Sequence, residues 1–335
     1  MKSIAVIILN WNGKRLLEQF LPSVVTYSPE ATIYVADNAS TDDSITYLQQ
    51  AWPLIKVIKN AGNYGFAKGY NEALQFVEED IYALVNSDVE VTAGWLQPVI
   101  DKFEQDNELA IIQPKILDYK NKSHFEYAGA AGGYLDKYGF PFCRGRIFDT
   151  IEEDKGQYDN VVPILWASGA CFFIRKETYR SLKGFDGDFF AHMEEIDLCW
   201  RAFNKNYKIQ FCPQSVIYHV GGATLDSGNP HKTFLNFRNS LWMLIKNLPK
   251  RQLIPVLTIR IVMDGMACVR FLTQGKPTHS AAILKSHFYF LLKLFHFLNK
   301  RESNQYNNYY KIKSITYKYF VKNGKVFDSL FNNSL

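Results

Sequence analysis

Four short apolar runs, each followed by a stretch of helical pattern, constrain this chain more than any other feature. Ile4-Ala5-Val6-Ile7-Ile8-Leu9 has no polar break and is rich in β-branched residues, as a strand buried on both faces requires. Thr32-Ile33-Tyr34-Val35-Ala36, Ile55-Lys56-Val57-Ile58 and Ile81-Tyr82-Ala83-Leu84-Val85 follow it. Helical segments fall between them at 14–27, from the capping residues Ser40-Thr41-Asp42-Asp43 to about 52, and at 67–77. Strands joined by single helices predict an α/β fold, a doubly wound and mainly parallel sheet with helices on both faces. A helix near 95–105, strands near 109–114 and at 170–174, and a helix near 194–204 extend the pattern. The Gly-, Tyr- and Asp-rich stretch 118–160 reads as a loop or hairpin insertion over a site.

Composition enters the argument through charge. The 335 residues carry a net +5, yet 231–335 holds 17 Lys and Arg against three acids (Asp264, Glu302, Asp328). That is +14 on the last third and −9 on residues 1–230, an asymmetry that predicts two regions with different partners. We therefore divide the chain into a catalytic region, 1–230, and a helical basic region, 231–335. In the latter, the segment 253–273 is apolar but interrupted by Arg260, Asp264 and Arg270, which argues against a spanning helix. With 281–298 it reads instead as helix lying on an anionic membrane surface or packed on the catalytic body. Trp242, Phe271, Phe288, Tyr289, Phe295 and Phe297 are the aromatic residues expected to meet the lipid. Basic residues mixed with Leu and Phe at helical spacing do not suit nucleic acid. Five scattered cysteines without a CxxC pair predict a reducing compartment and neither disulfides nor structural zinc. The opening apolar run is too short for a cleaved signal, so a cytoplasmic location is expected.

Ligands of open α/β sheets sit at the carboxyl ends of strands, and polar residues collect there. Asn10-Trp11-Asn12 follows the first run, Asp37-Asn38 the second, and Asn86-Ser87-Asp88 the fourth. Asp and Asn also make caps and turns, but three such sets on one rim suit a nucleotide pocket. Asn86-x-Asp88 offers sparse oxygen ligands of the kind Mg2+ or Mn2+ takes beside phosphate. Gly62-Asn63-Tyr64-Gly65-Phe66-Ala67-Lys68-Gly69-Tyr70-Asn71 is Gly-rich but matches neither GxGxxG nor a P-loop, which disfavours a dehydrogenase or NTPase. Glu194, Glu195 and Asp197 open a helix whose apolar face is Ile196, Cys199, Trp200 and Phe203; there the helix dipole favours acids by about 0.3–1 kcal/mol. Asp197 and Arg201, spaced i, i+4, read as a structural pair.

These segments in this order resemble glycosyltransferase family 2, particularly its bacterial rhamnosyltransferase-like members. The resemblance rests on Ile8-Leu9-Asn10-Trp11-Asn12, Val35-Ala36-Asp37-Asn38-Ala39-Ser40-Thr41-Asp42, Asn63-x-Gly65-Phe66-Ala67-x-Gly69-x-Asn71 and Asn86-Ser87-Asp88. It continues through Ser168-Gly169-Ala170, Gly184-Phe185-Asp186, Glu194-Glu195-Ile196-Asp197-Leu198-x-x-Arg201 and Tyr218-His219-Val220-Gly221-Gly222. It implies a GT-A fold and inverting transfer of a sugar from a dTDP- or UDP-linked donor to a glycan or lipid-linked acceptor in surface polysaccharide synthesis. It further implies that Asp37 holds the nucleotide base, with Asn12 lining the pocket, and that Asp88 binds the divalent cation, with His219 as a further ligand. Asn10, Asn38, Gly65, Lys68, Asn71, Asn86, Ser87, Trp166, Ser168 and Gly169 complete the nucleotide-sugar site. The family's base is the second acid of a Glu-Asp pair; here the pair is Glu-Glu, so Glu195 takes that role, with Glu194 as the alternative base. A non-catalytic nucleotide-sugar-binding scaffold is the rival reading.

Overall fold

The computed structural model describes residues 2–221 and 228–331. Its centre is β1 (Ile4–Asn10), paired in parallel with β2 (Thr32–Asp37) on one side and β4 (Ile81–Asn86) on the other; β3 (Lys56–Lys59) continues the sheet beyond β2. Side chains of β1 alternate between two cores. Ile4, Val6 and Ile8 face one, with Leu17, Leu21 and Val24 of α1 (Lys14–Tyr27); Ala5 and Ile7 face the other. The apolar run Ile4–Ile8 is thus buried at every position on both faces, which is why its sequence shows no alternation.

α2 (Ser44–Ala51) and α3 (Gly65–Ala73) complete the first crossovers. The helix expected at 67–77 begins two residues earlier, because the Phe190 carbonyl accepts from the amides of Phe66 (2.7 Å) and Ala67 (3.3 Å). It gives way to a 3-10 turn at Leu74–Phe76. Beyond β5 (Val89–Val91) and α4 (Gln97–Gln105) comes β6 (Leu109–Asp118), four residues longer than the run that announced it. The insertion is built of hairpins: β7 (Gly133–Leu135), β8 (Pro141–Cys143), β9 (Arg146–Ile147) and β10 (Thr150–Ile151) form their own antiparallel sheet. Then follow β11 (Val162–Pro163), β12 (Cys171–Arg175), α5 (Lys176–Ser181), α6 (Glu194–Asn204) and β13 (Lys208–His219).

The main sheet has the order β11-β13-β6-β12-β4-β1-β2-β3, with β5 also on β13. β12 runs antiparallel to both β4 and β6, and β13 runs parallel to β6. Consequently β1, β2, β4, β6 and β13 all end on one rim, and β12 begins there. The long strand β13 was not anticipated as a strand. Pro213 interrupts it and its register shifts between Cys212 and Val216, which breaks the alternation that a sequence reading uses.

The C-terminal helices are α7 (Pro230–Asn247), α8 (Leu253–Thr273), α9 (Pro277–Leu292), α10 (Leu294–Asn299) and α11 (Ile315–Phe320). α7 starts with Asn229 accepting from the His231 amide (2.9 Å) and Pro230 in the first turn. Five successive residues of α7, Leu241 to Ile245, are buried in the apolar cluster that also contains β-sheet residues and Leu330. Trp242 and Phe297, expected at a lipid surface, belong to this interior; their rings stack at 4.3 Å. α8 presents Arg260 and Asp264 inward and leaves Arg270 exposed. Arg260 donates to the Ser240 hydroxyl (2.8 Å) and the Tyr138 carbonyl (3.1 Å), and Asp264 meets His287 (3.1 Å). Its opposite face exposes Ile254, Val262, Met266 and Val269, each at least 60% accessible.

Asp197 joins α6 to α7. Its side chain is fully buried and accepts from Lys246 (2.7 Å), Arg201 (2.8 Å) and Asn247 (2.8 Å). Among the described residues, removing Asp197 leaves Arg201 without a carboxylate and the buried Lys246 with Asp186 alone. Asp197→Ala is expected to destabilise the protein by about 3–5 kcal/mol, read as a lower urea midpoint at unchanged m-value.

Candidate active site

The β1 and β2 ends are knitted together. Asn10 donates to Asp37 (2.9 Å) and to the Ser40 hydroxyl (3.2 Å), while Ser40 donates to Asp37 through its hydroxyl (2.6 Å) and its amide (2.9 Å). Three of the roughly four acceptor positions of the Asp37 carboxylate are therefore occupied, leaving one on Oδ2. Asn12, in left-handed backbone at φ 49°, accepts from the Thr41 amide (2.7 Å). Gly13 is required beside it, since a Cβ there would lie 2.4 Å from Asn10 Oδ1.

Several residues expected to line the donor pocket spend their polar groups inside the protein. Asn38 donates to the Gly65 carbonyl (2.9 Å) and accepts from Asn60 (2.7 Å). Asn71 exchanges hydrogen bonds with the Phe185 backbone (2.8 and 2.9 Å) and accepts from Tyr179. Trp166 is buried, its indole N–H donating to the Tyr134 carbonyl (2.9 Å). The Lys68 ammonium lies over the Tyr64 ring at 4.2 Å. Ser168 is held by Gln113, whose carbonyl accepts from the Ser168 amide (2.9 Å). Asn86 takes the Ala170 carbonyl through its backbone (2.9 Å), so the turn bearing Ser87 and Asp88 abuts the start of β12.

His219 ends β13 opposite Val89, directly after that turn. Its Nε2 stands 3.2 Å from Asp88 Oδ1 and its Nδ1 3.3 Å from Glu126 Oε1, all three residues being buried. Burial opposes a charged imidazole, but Asp88 and Glu126 outweigh it and lift His219 to about 10. The spot is built for positive charge. A separation of 3.2 Å also matches two adjacent ligands of an octahedral cation with bonds of about 2.1 Å, and the oxygen–nitrogen pair suits Mn2+ or Mg2+. Among the described residues no set of three or more His, Cys, Asp or Glu forms a metal cage by itself. Asp88 and His219 thus leave most coordination positions open, as a cation shared with phosphates requires. Glu126 was not foreseen: it lies in the insertion, in no motif, and only the fold carries it to His219. Gly222, the last residue of the stretch that begins at Tyr218, lies outside the described residues.

The acids at the head of α6 differ sharply. Glu194 is buried with Oε2 lacking a partner, and burial followed by the neighbouring Glu195 charge pushes it well above the usual carboxylate range. Glu195 is only half-buried; burial raises it to about 7. It lies against Gly169, where a Cβ would sit 3.7 Å from its carboxyl carbon. Asp197, despite burial, is held below its ordinary value by Lys246 and Arg201. The chain entering α6 is strained, with Phe190, His192 and Met193 at φ 65°, 71° and 72°. Asn239 of α7 braces it, its amide nitrogen 2.7–2.9 Å from the carbonyls of Phe189, Ala191 and His192.

Comparison with known proteins identifies the family and the fold. Residues 5–182 match the family model described as Glycosyl transferase family 2. The chain is 22% identical to the low-salt glycan biosynthesis hexosyltransferase Agl10 of Haloferax volcanii, over 84% of this chain and 88% of that protein. It is also 22% identical to an N-acetylglucosaminyl-diphospho-decaprenol L-rhamnosyltransferase of Mycobacterium tuberculosis, over 64% and 75%. The fold is similar to the mannosyltransferase PcManGT of Pyrobaculum calidifontis, solved with GDP-Man and Mn2+, at a TM-score of 0.53, 13% identity and 87% coverage of each chain. That likeness, to a GT-A glycosyltransferase, concerns the fold.

A ligand that binds only the folded state raises its melting temperature. Mn2+ with nucleoside diphosphate is expected to do so for the native protein, and Asp88→Asn and His219→Ala to abolish the Mn2+-dependent part of the shift.

Proposed function

Since the chain belongs to glycosyl transferase family 2, it is a glycosyltransferase, and we propose that it moves a sugar with inversion from a nucleoside-diphosphate donor to a hydroxyl of a lipid-linked glycan. The observation that carries this is the half-buried Glu195 beside Gly169, on the rim that also bears Asp37, Asp88 and His219. Asp37 and Asn12 border the nucleotide base, Asp37 through its remaining Oδ2 position. Asp88 and His219 would hold the divalent cation, and a bound cation offsets the negative charge that grows on the departing diphosphate. A dTDP- or UDP-linked donor is the reading we adopt.

Glu195 is the base. It takes the proton of the acceptor hydroxyl while that oxygen attacks the anomeric carbon from the face opposite the diphosphate. The new carbon–oxygen bond forms as the bond to the diphosphate oxygen breaks, and the nucleoside diphosphate leaves with the electron pair. A positioned base contributes about 10²–10⁴-fold. Glu194 is buried with an unpartnered Oε2, and burial pushes its carboxyl well above the usual range. Glu195, the more exposed of the two, is therefore the residue placed to meet an acceptor hydroxyl.

The helical region supports a lipid-linked acceptor. Exposed Val262, Met266 and Val269 of α8 and Leu284, Phe288, Leu291 and Leu292 of α9 form apolar faces, and exposed Lys250, Arg251, Lys276 and Lys285 lie among them. Each such cation near an anionic leaflet is worth about 1 kcal/mol. We read the region as lying on the inner face of the cell membrane.

A thermal-shift screen of nucleotide sugars with Mn2+ identifies the donor, and the transfer assay follows. Glu195→Gln is expected to lose about 10²-fold or more in kcat with donor binding kept; unchanged turnover sinks the assignment. Because Glu195 must be ionised to act and its value is about 7, kcat/KM should rise with pH through about 7 and level off above it. Val262→Glu with Phe288→Glu should release the protein from phosphatidylglycerol vesicles while its melting temperature holds.

A further inference from the structure

Two cationic side chains and an imidazole surround one ring. The His231 ring stacks on Phe234 at 5.9 Å, the Arg238 guanidinium carbon lies 5.0 Å from the same centroid, and the Lys285 ammonium 5.2 Å. Phe234 is buried and packs with Leu235, Ala282 and Ala191. Neighbouring cations are neutralised: Lys293 and Lys300 close on Asp188, which the His296 ring also meets, and Lys300 closes on Asp186 as well. Arg238 and Lys285 have no carboxylate partner among the described residues, and Asp188, which Arg238 feels at a distance, is already spent on those three.

Arg238 donates to the Phe189 carbonyl (3.2 Å) and to Asn239 (2.9 Å), which uses two of its five N–H groups. Burial without a counterion presses it down to about 10. A half-buried guanidinium with unspent donors is costly unless an anion completes it. His192, whose carbonyl is tied to the adjacent Asn239, keeps its Nε2 buried and unpartnered.

Position gives the cluster its meaning. Arg238 grips the strained segment that leads into Glu195, whereas Lys285 stands next to Leu284 and close to Phe288, both about 60% exposed on the apolar face of α9. An anion held here would touch the catalytic loop on one side and the lipid-facing helix on the other. We propose that Arg238 and Lys285, with His231, form the subsite for the diphosphate that links the acceptor's sugar to its lipid chain. This rests on the lipid-linked acceptor proposed above. The ligand class is an isoprenoid-like lipid diphosphate, its phosphates over Phe234 and its chain along α9.

The test uses the full chain, chelator to exclude the metal-dependent donor site, and farnesyl diphosphate as the probe, with binding followed by calorimetry. The native protein should bind it, with inorganic pyrophosphate competing and farnesyl monophosphate binding more weakly. Arg238→Gln and Lys285→Gln should each lower affinity about tenfold, and Asp88→Asn should leave it unchanged. Lys285 is exposed and holds no hydrogen bond in the fold, so Lys285→Gln remains informative if Arg238→Gln fails to fold. Unaltered affinity in Lys285→Gln overturns the proposal; so does loss in Asp88→Asn, which would move the diphosphate to the donor site. Competition by phosphatidylglycerol vesicles as strong as by pyrophosphate also overturns it, in favour of a general phospholipid contact. Diphosphate binding that depends on Lys285 in a protein that transfers no sugar would leave this subsite standing and overturn the transferase reading instead.

Discussion

A carboxylate shut off from water holds the working parts in place. Asp197 cannot be buried alone, because an isolated charge in a low-dielectric interior is prohibitively costly. It is buried with Lys246, Arg201 and Asn247 around it, and Lys246 reaches on to Asp186 (2.8 Å). Arg201 in turn binds the carbonyls of Leu182 and Gly184. One charge therefore fastens α6, α7 and the 182–186 turn together. Its neighbours two and three residues back are the acids of the proposed reaction, so the angle at which Glu195 meets Gly169 is set by an ion cluster that touches no substrate.

The same turn of helix carries three acids in three electrostatic states. Lys246 and Arg201 hold Asp197 below its ordinary value; burial, then the Glu195 charge, raises Glu194 well above the usual carboxylate range; burial raises Glu195 to about 7 against the backbone hydrogen bonds that favour its charged form. Composition alone would make all three equivalent N-terminal helix charge. Environment separates them, and that separation lets one side chain exchange a proton near neutral pH while its neighbours do not. The strained segment before α6 belongs to the same design: left-handed residues persist where surrounding contacts impose them, and Asn239 supplies those contacts.

The C-terminal helices serve two masters. α7 is core, stacked on α6 and packed around Trp242 and Phe297. α8 turns Arg260 and Asp264 toward the protein, while Val262, Met266, Val269, Leu284 and Phe288 of the pair stay exposed beside Arg270 and Lys285. Arg260 and Asp264, which in sequence argue against a membrane span, are the groups that attach α8 to the body through Ser240 and Tyr138. The helix is thus tied to the body along one side, while by length and composition Lys250–Thr273 is also apolar enough to cross a membrane.

What was legible from the chain alone was whatever depends on near neighbours. Buried parallel strands announce themselves as unbroken apolar runs, crossover helices as caps and periodicity, and the rim of ligand-facing residues as polar groups where those runs stop: Asn10, Asp37 and Asp88 all lie there. The pairing of Asp197 with Arg201 was readable at i, i+4 for the same reason. Tertiary structure alone decided the rest. β13 is kept straight enough to pair with β6 by its neighbours, despite Pro213. Glu126 meets His219, Arg238 and Lys285 both approach Phe234, and Asn38, Asn71 and Trp166 turn their polar groups inward. Each of these joins residues distant along the chain, where no local spacing records the contact. The protonation of Glu194 and Glu195 was likewise hidden, because a carboxylate's affinity for its proton is set by the water and charges that folding removes or brings near.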